Sequence, residues 1–221
     1  PKPSSAASDV YKRQHQNIEV FLDSTVTGRY DHNWIAIMQK NHPVARERLI
    51  KARTGSLVVA PGLIERPYVF KGNDIPGVRL SGGVRRLINL WGVKPGETAV
   101  VFTANEEGDA CIKDLKRVGV EIVTVVDARK GEVIVSANGK KRVKSVTLED
   151  GRKVAADLVV VATGWTAPTS LLNMAGDKPE YDKNSARFFP TNLPSNVLAT
   201  GGIVGNGDLA SIIQHGTETG Q

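Results

Sequence analysis

A single cysteine, Cys111, stands in a chain of 221 residues. One thiol cannot supply an internal disulfide framework, a four-cysteine zinc site or a CxxC redox pair. Aromatic residues are scarce at 5%, and no stripe of them accompanies the basic residues, as a groove for single-stranded nucleic acid requires. Long apolar runs are missing: none approaches the roughly 18–20 residues of a membrane helix, and the start lacks a signal peptide's apolar core. The four histidines, His15, His32, His42 and His215, are dispersed. They form no i,i+4 pair and no metal-type spacing with Cys111, so no metal site is expected. Neither a GxSxG elbow nor a phosphate-binding GK[ST] loop occurs. These absences set the expectations of no membrane, no metal and a cytoplasmic protein.

What is present describes a globular protein. Hydrophobic residues make up 40% and charged residues 24%, and the mean hydropathy is −0.20, which excludes wholesale disorder. The length suits one large domain or two modest ones. A net charge of +6 and a pI of about 9.5 raise nucleic acid as a partner, but the positive excess declines along the chain and residues 155–221 are net acidic. The one dense basic run, Lys140-Lys141-Arg142-Val143-Lys144, follows the turn signal Asn138-Gly139 and reads as the solvated face of a hairpin strand. No nucleic-acid partner is expected.

Along the chain, residues 1–14 lack apolar periodicity and read as a non-native or disordered leader, of the kind an adapter or assembly scar leaves. Strand-like runs follow at 18–26 and 33–40, joined by TGRYDH, then a polar stretch at 41–54 and the short apolar run SLVVAPG (56–62). A Pro/Gly-rich loop over 61–77 leads to SGGVRRLINLW (81–91), where Val84, Leu87, Ile88 and Trp91 share one helical face and Ser81 is the expected N-cap. The segments TAVVFT (98–103), a helix over 108–118 and EIVTVVD (121–127) form a βαβ unit with parallel strands. Strands are expected at 131–137, 141–150 and 152–164, with turns at Asn138-Gly139 and Asp150-Gly151. The last strand is NVLATGG (196–202), and Asp208 caps a closing helix through Leu209, Ile212 and Ile213.

Three segments share a design: a strand of small and β-branched residues ends abruptly in glycine. They are SLVVAPG (56–62), DLVVVATG (157–164) and NVLATGG (196–202). Glycine there permits positive φ and lets a flat or anionic ligand approach the main chain. Ligands of open α/β sheets bind outside the carboxyl ends of strands. Ala60, Gly62, Gly164 and Gly201 are therefore candidate cofactor-binding residues.

The order of these segments resembles flavoproteins with two dinucleotide-binding domains. Within them, APGLIERPYVFKGNDIPGVRLSGGVRRLINLWGV (60–93) is similar to the α subunit of heterotetrameric sarcosine oxidase and its relatives, with VVFTANEEG and GDLASIIQHGTETG in agreement. Those relatives include amine- and opine-oxidising complexes and the large subunits of hydrogen cyanide synthase and dye-linked proline dehydrogenase. The resemblance covers about residues 17–221. It implies an α/β, Rossmann-like two-dinucleotide-binding-domain fold, incomplete at the N-terminus and carrying a β-meander. The implied division is a discontinuous FAD/NAD-binding domain from 15–95 and 163–221, interrupted by a smaller NAD(P)-type domain at 96–162. It also implies FAD or NAD as cofactor and an oxidoreductase subunit acting on a secondary amine such as sarcosine. The implied partner is a flavin-bearing, amine-oxidising subunit in a hetero-oligomer.

Departures from the family pattern sharpen the reading. The amino-terminal GxGxxG is absent, Pro61 stands where the family has Thr, and Gly202 stands where many relatives have Asp. Asp208 is the candidate replacement for that carboxylate. The carboxy-terminal aminomethyltransferase-like region is also absent. In the inserted unit, a nucleotide fingerprint would place glycines where Thr103 and Asn105 stand, and only Gly108 remains. Glu106 and Glu107 put negative charge where a phosphate would sit. Against this, Asp127 ends the second strand about 20 residues after Gly108, the place of a ribose-binding carboxylate. Gly108 and Asp127 thus complete the candidate list, with the catalytic residues unassigned. The alternative readings are a non-catalytic scaffold subunit with degenerate cofactor sites and an NAD(P)H-dependent flavin reductase. The missing CxxC weighs against a reductase of the disulfide type.

Overall fold

The computed structural model describes residues 15–205 and 208–221, so the leader expected over 1–14 lies outside the described residues. The chain forms two compact units. A discontinuous unit joins the described residues up to Leu63 to Ala167–Gln221, and an inserted unit is Ile64–Thr166.

The discontinuous unit begins with an antiparallel sheet of β1 (Ser24–Tyr30), β2 (Trp34–Lys40) and β3 (Glu47–Arg53), in that order. The expected strand at 18–26 is displaced. Pairing runs from Ser24↔Gln39 to Tyr30↔Trp34, with an irregularity between Val26 and Gly28. Most of the segment read as a turn is therefore strand, and the reversal sits at Asp31–Asn33, where His32 and Asn33 adopt positive φ. The polar stretch 41–54 hides β3, whose Arg48, Ile50 and Ala52 alternate inward. After β4 (Leu57–Val59) the chain enters the inserted unit.

That unit comprises β5 (Ile64–Glu65), β6 (Val78–Leu80), α1 (Ser81–Trp91), β7 (Thr98–Thr103), α2 (Glu106–Arg117), β8 (Glu121–Asp127), β9 (Ile134–Gly139), β10 (Val143–Leu148), β11 (Lys153–Ala155), β12 (Leu158–Ala162) and β13 (Trp165–Thr166). A parallel sheet of order β6-β12-β7-β8 forms its centre, and β11-β10-β9 form an antiparallel sheet. Alternation within the central strands sorts their side chains into two cores. Val100, Phe102, Val126, Val159 and Val161 pack with Ile134, Val143 and Val146 of the meander. Ala99, Val101, Leu158 and Val160 pack with Val84 and Ile88 of α1 and with Cys111 and Leu115 of α2. All five residues of β12 are buried, each large one worth about 1.5–3 kcal/mol. Both faces being covered explains why these strands read as unbroken apolar runs.

Several local expectations change here. The run 152–164 is two strands, because β11 pairs with β10 while β12 pairs with β6 and β7. Asn138-Gly139 does not form the hairpin tip: Gly139 pairs with Val143 and the reversal falls at 140–142. Ser81 does not cap α1. Its buried hydroxyl donates to Glu65 Oε1, and the other Glu65 oxygen accepts the Gly82 N–H at 2.8 Å. Trp91, expected on the buried face, is 71% exposed. The unit also starts well before residue 96, because β6 hydrogen-bonds to β12 and α1 supplies part of the core.

The returning chain adds α3 (Ser170–Met174), the hairpin β14 (Glu180–Asp182) and β15 (Arg187–Phe189), β16 (Val197–Ala199) and α4 (Leu209–Thr219). Strand β16 pairs in parallel with β4, and Val59, Val197, Ala199, Leu172 and Ile203 form the core there. Asp208 caps α4 as expected, accepting the Ser211 N–H at 2.9 Å. The apolar face of α4 is not buried: Leu209 and Ile213 are exposed.

Candidate functional site

In the discontinuous unit, parallel pairing of β4 with β16 sets Leu57 beside Val197 and Val59 beside Ala199. The ladder extends one step further, through Thr200 N–H to the Val59 carbonyl at 3.1 Å. Both strands then turn at glycine, Gly62 with φ +73° and Gly201 with φ +81°. An L side chain is strained at those angles, and a Cβ at either position would meet no atom within 4 Å. Two bare main-chain turns thus lie at the carboxyl ends of adjacent parallel strands, with exposed Ala60 beside them. Gly202 differs: a Cβ there would approach Leu63 Cγ at 3.1 Å. This geometry fits the close approach of a flat or anionic ligand portion to the backbone.

His215, which the sequence showed only as one of four dispersed histidines, also belongs to this place. Helix α4 brings its Nδ1 to 2.8 Å from the Thr200 hydroxyl, next to Gly201. The only sequence signal was its position within GDLASIIQHGTETG. Asp208 has both carboxylate oxygens engaged by Ser211, through the N–H and the hydroxyl. These contacts hold its charge form, depressing its pKa below the usual carboxylate range.

The inserted unit presents a different picture at the β7–α2 turn. Asn105 caps α2, its side chain accepting the Glu107 N–H at 3.1 Å, and the Thr103 hydroxyl donates to the Asn105 carbonyl at 2.8 Å. Glu107 is paired with Arg85 at 2.7 Å. A Cβ at Gly108 would overlap the Thr103 side chain, so this glycine serves the tight seating of α2 on β7. Asp127 accepts from the Arg129 main chain at 3.0 Å and from its guanidinium at 2.8 Å. Arg129 also reaches Asp109 at 2.9 Å. The Arg129 bonds hold the Asp127 carboxyl below its ordinary range. The donors and the carboxylate that a dinucleotide would use are thus engaged within the protein, and the residues present do not fit a pyrophosphate here.

Gly164 follows β12 with φ +145°. The nearest atom to a Cβ there would be Nη2 of Arg66, at 3.1 Å. Gly164 also accepts the Arg66 N–H through its carbonyl at 2.9 Å. Arg66 therefore flanks the turn expected to be bare, a residue the glycine pattern did not flag. Cys111 is buried among apolar side chains, and this burial pushes its thiol up to about 12, which keeps it unreactive at neutral pH. Among the described residues no cluster of His, Cys, Asp and Glu suits a metal ion, and no helix is long and apolar enough to cross a membrane.

No family model matches the chain. It is 28% identical to sarcosine oxidase subunit alpha of Rhizobium meliloti (strain 1021) over 92% of its length. It is 29% identical to the subunit of that name from Corynebacterium sp. (strain P-1) over 89%. It spans 23% and 24% of those proteins, about a quarter of the length of the curated relatives it matches. Among solved structures, L-proline dehydrogenase from P. horikoshii superposes with a TM-score of 0.70 at 19% identity, covering 90% of this chain and 40% of that one. A NAD-dependent persulfide reductase from A. fulgidus gives 0.66 at 18%, covering 88% and 41%. The chain shares its α/β fold with these solved structures, and its resemblance to the sarcosine oxidase α subunit is borne out.

Proposed function

We propose that the chain is part of an oxidoreductase subunit whose discontinuous unit binds a dinucleotide, FAD or NAD, at the paired ends of β4 and β16. The observation that carries this reading is the pair of positive-φ glycines, Gly62 and Gly201, set side by side by parallel pairing with open space over both. Ala60, Gly62 and Gly201 would offer main chain to the ligand, and the Thr200–His215 hydrogen bond fixes the turn beneath Gly201. The bound cofactor would supply the hydride- or electron-accepting ring. The protein's part is binding and orientation, and no described side chain is assigned as a catalytic acid or base.

Similarity to proteins named sarcosine oxidase subunit alpha extends the proposal to substrate and partner. The complete assembly would oxidise the C–N bond of a secondary amine such as sarcosine, with the amine-oxidising flavin held by a partner subunit. Nucleotide extraction and visible absorbance of the purified intact protein test the cofactor. Wild type is expected to carry a dinucleotide. Gly201→Leu is expected to lose it while remaining folded, at a strain cost of about 1–2 kcal/mol. Full nucleotide occupancy in the folded variant would show that the ligand lies elsewhere.

A second reading, a scaffold subunit with degenerate sites, draws on the inserted unit, where Asn105 and Arg129 engage the groups a nucleotide would need. A wild-type protein that yields neither flavin nor nicotinamide nucleotide would favour it.

A further inference from the structure

The inserted unit keeps a cavity of about 290 Å³ at the carboxyl ends of its central strands. Its lining includes Phe102 and Ala104 at the end of β7, Ala128 after β8, Thr163 after β12, and Arg66 and Tyr68 from the segment following β5. This is the place where open parallel sheets bind ligands. The volume lies near the lower end of ligand pockets, far short of a dinucleotide. The part-exposed Tyr68 ring gives the cavity an aromatic wall and meets the buried Phe102 ring edge to face, with centroids 5.0 Å apart.

Arg66 is the one charged residue in the cavity's lining. Arg66 forms no ion pair among the described residues, whereas the neighbouring Arg129 is shared between Asp109 and Asp127. Its main chain is fixed, since its N–H donates to the Gly164 carbonyl at 2.9 Å and its own carbonyl accepts from the Thr163 hydroxyl at 3.4 Å. A guanidinium with no ion pair, beside the Tyr68 ring and an otherwise apolar lining, matches a planar anion on a flat apolar body, because it can donate two parallel N–H bonds to a carboxylate. A multiply charged phosphate is disfavoured by Glu106, Glu107 and Asp109 in the first turn of α2, and Asn105 already closes that helix end.

We propose that this cavity is a binding site for a small monocarboxylate with an aromatic or similarly flat apolar body, held by Arg66, and that it works independently of the dinucleotide site. Benzoate is the probe, with benzamide, inorganic phosphate and NADH as comparisons, titrated calorimetrically into the purified intact protein. Benzoate is expected to bind at millimolar concentration, and benzamide and phosphate about tenfold or more weakly. Arg66→Gln is expected to weaken benzoate about tenfold while Arg66→Lys retains part of the affinity. Absence of benzoate binding, equal affinity for benzoate and benzamide, or benzoate binding unchanged in a folded Arg66→Gln protein would each overturn the proposal. So would Arg66-dependent binding of NADH in place of benzoate. Since Arg66 and Gly201 lie in different units, loss of benzoate binding through Arg66→Gln with nucleotide content intact separates this site from the dinucleotide reading.

Discussion

Asp157 shows how one carboxylate can fix the start of a sheet. It stands just before β12, where its oxygens accept the main-chain N–H groups of Glu97 at 3.1 Å and Thr98 at 2.9 Å. Burial alone would raise its pKa, but those N–H donors outweigh burial and hold it below the usual range. A depressed carboxylate gives stability that is complete above its unfolded value of about 4 and is lost as pH falls through the folded value. Asp157→Asn is therefore expected to cost about 1–3 kcal/mol at neutral pH. Its deficit relative to wild type should shrink in acid, which urea denaturation at both conditions would measure. A deficit that is independent of pH would mean that the carboxylate's charge contributes nothing. Nothing in the sequence singled out this aspartate, because its partners lie some sixty residues away.

At the scale of elements, α1 owes its N-terminus to a residue from another strand. Glu65 in β5 accepts from both the Ser81 hydroxyl and the Gly82 N–H, so the cap comes from outside the helix's own sequence. Glu65→Ala is expected to destabilise the unit by about 0.5–2 kcal/mol and to speed amide exchange at Gly82. Glu65→Gln, which keeps an acceptor oxygen, should lose less. Unchanged exchange at Gly82 in the alanine variant would remove Glu65 from this role. Helix α1 itself was legible from its apolar spacing, whereas its cap and the exposure of Trp91 were not, since both depend on what packs beside it. The βαβ segment was legible because strong apolar strands and a helix-periodic stretch follow one another in sequence. Strand β3 was missed because its charged residues masked a weak alternation.

For the whole molecule, the inserted unit holds a complete three-layer arrangement: helices on one face of a parallel sheet and a meander on the other. Both cores are built wholly from residues of Ile64–Thr166. That segment alone is therefore expected to fold with a single cooperative transition, measurable by thermal circular dichroism. A broad, non-cooperative melt would show that it depends on the discontinuous unit. The latter requires both of its pieces, because β4 from one pairs with β16 from the other.

The resemblance to two-dinucleotide-binding-domain flavoproteins implied the fold class, and the residues by themselves determined the βαβ core and the three strands that end in positive-φ glycine. These are local properties: apolar periodicity, strand composition and the backbone freedom of glycine act within a few residues. Only the tertiary structure decided which glycines stand together and which groups are already engaged. Parallel pairing put Gly62 beside Gly201 across more than a hundred intervening residues. Folding also brought Arg66 to Gly164 and Arg129 between Asp109 and Asp127. A side chain's availability to a ligand depends on its partners in space, and those partners come from distant segments whose approach no local pattern records.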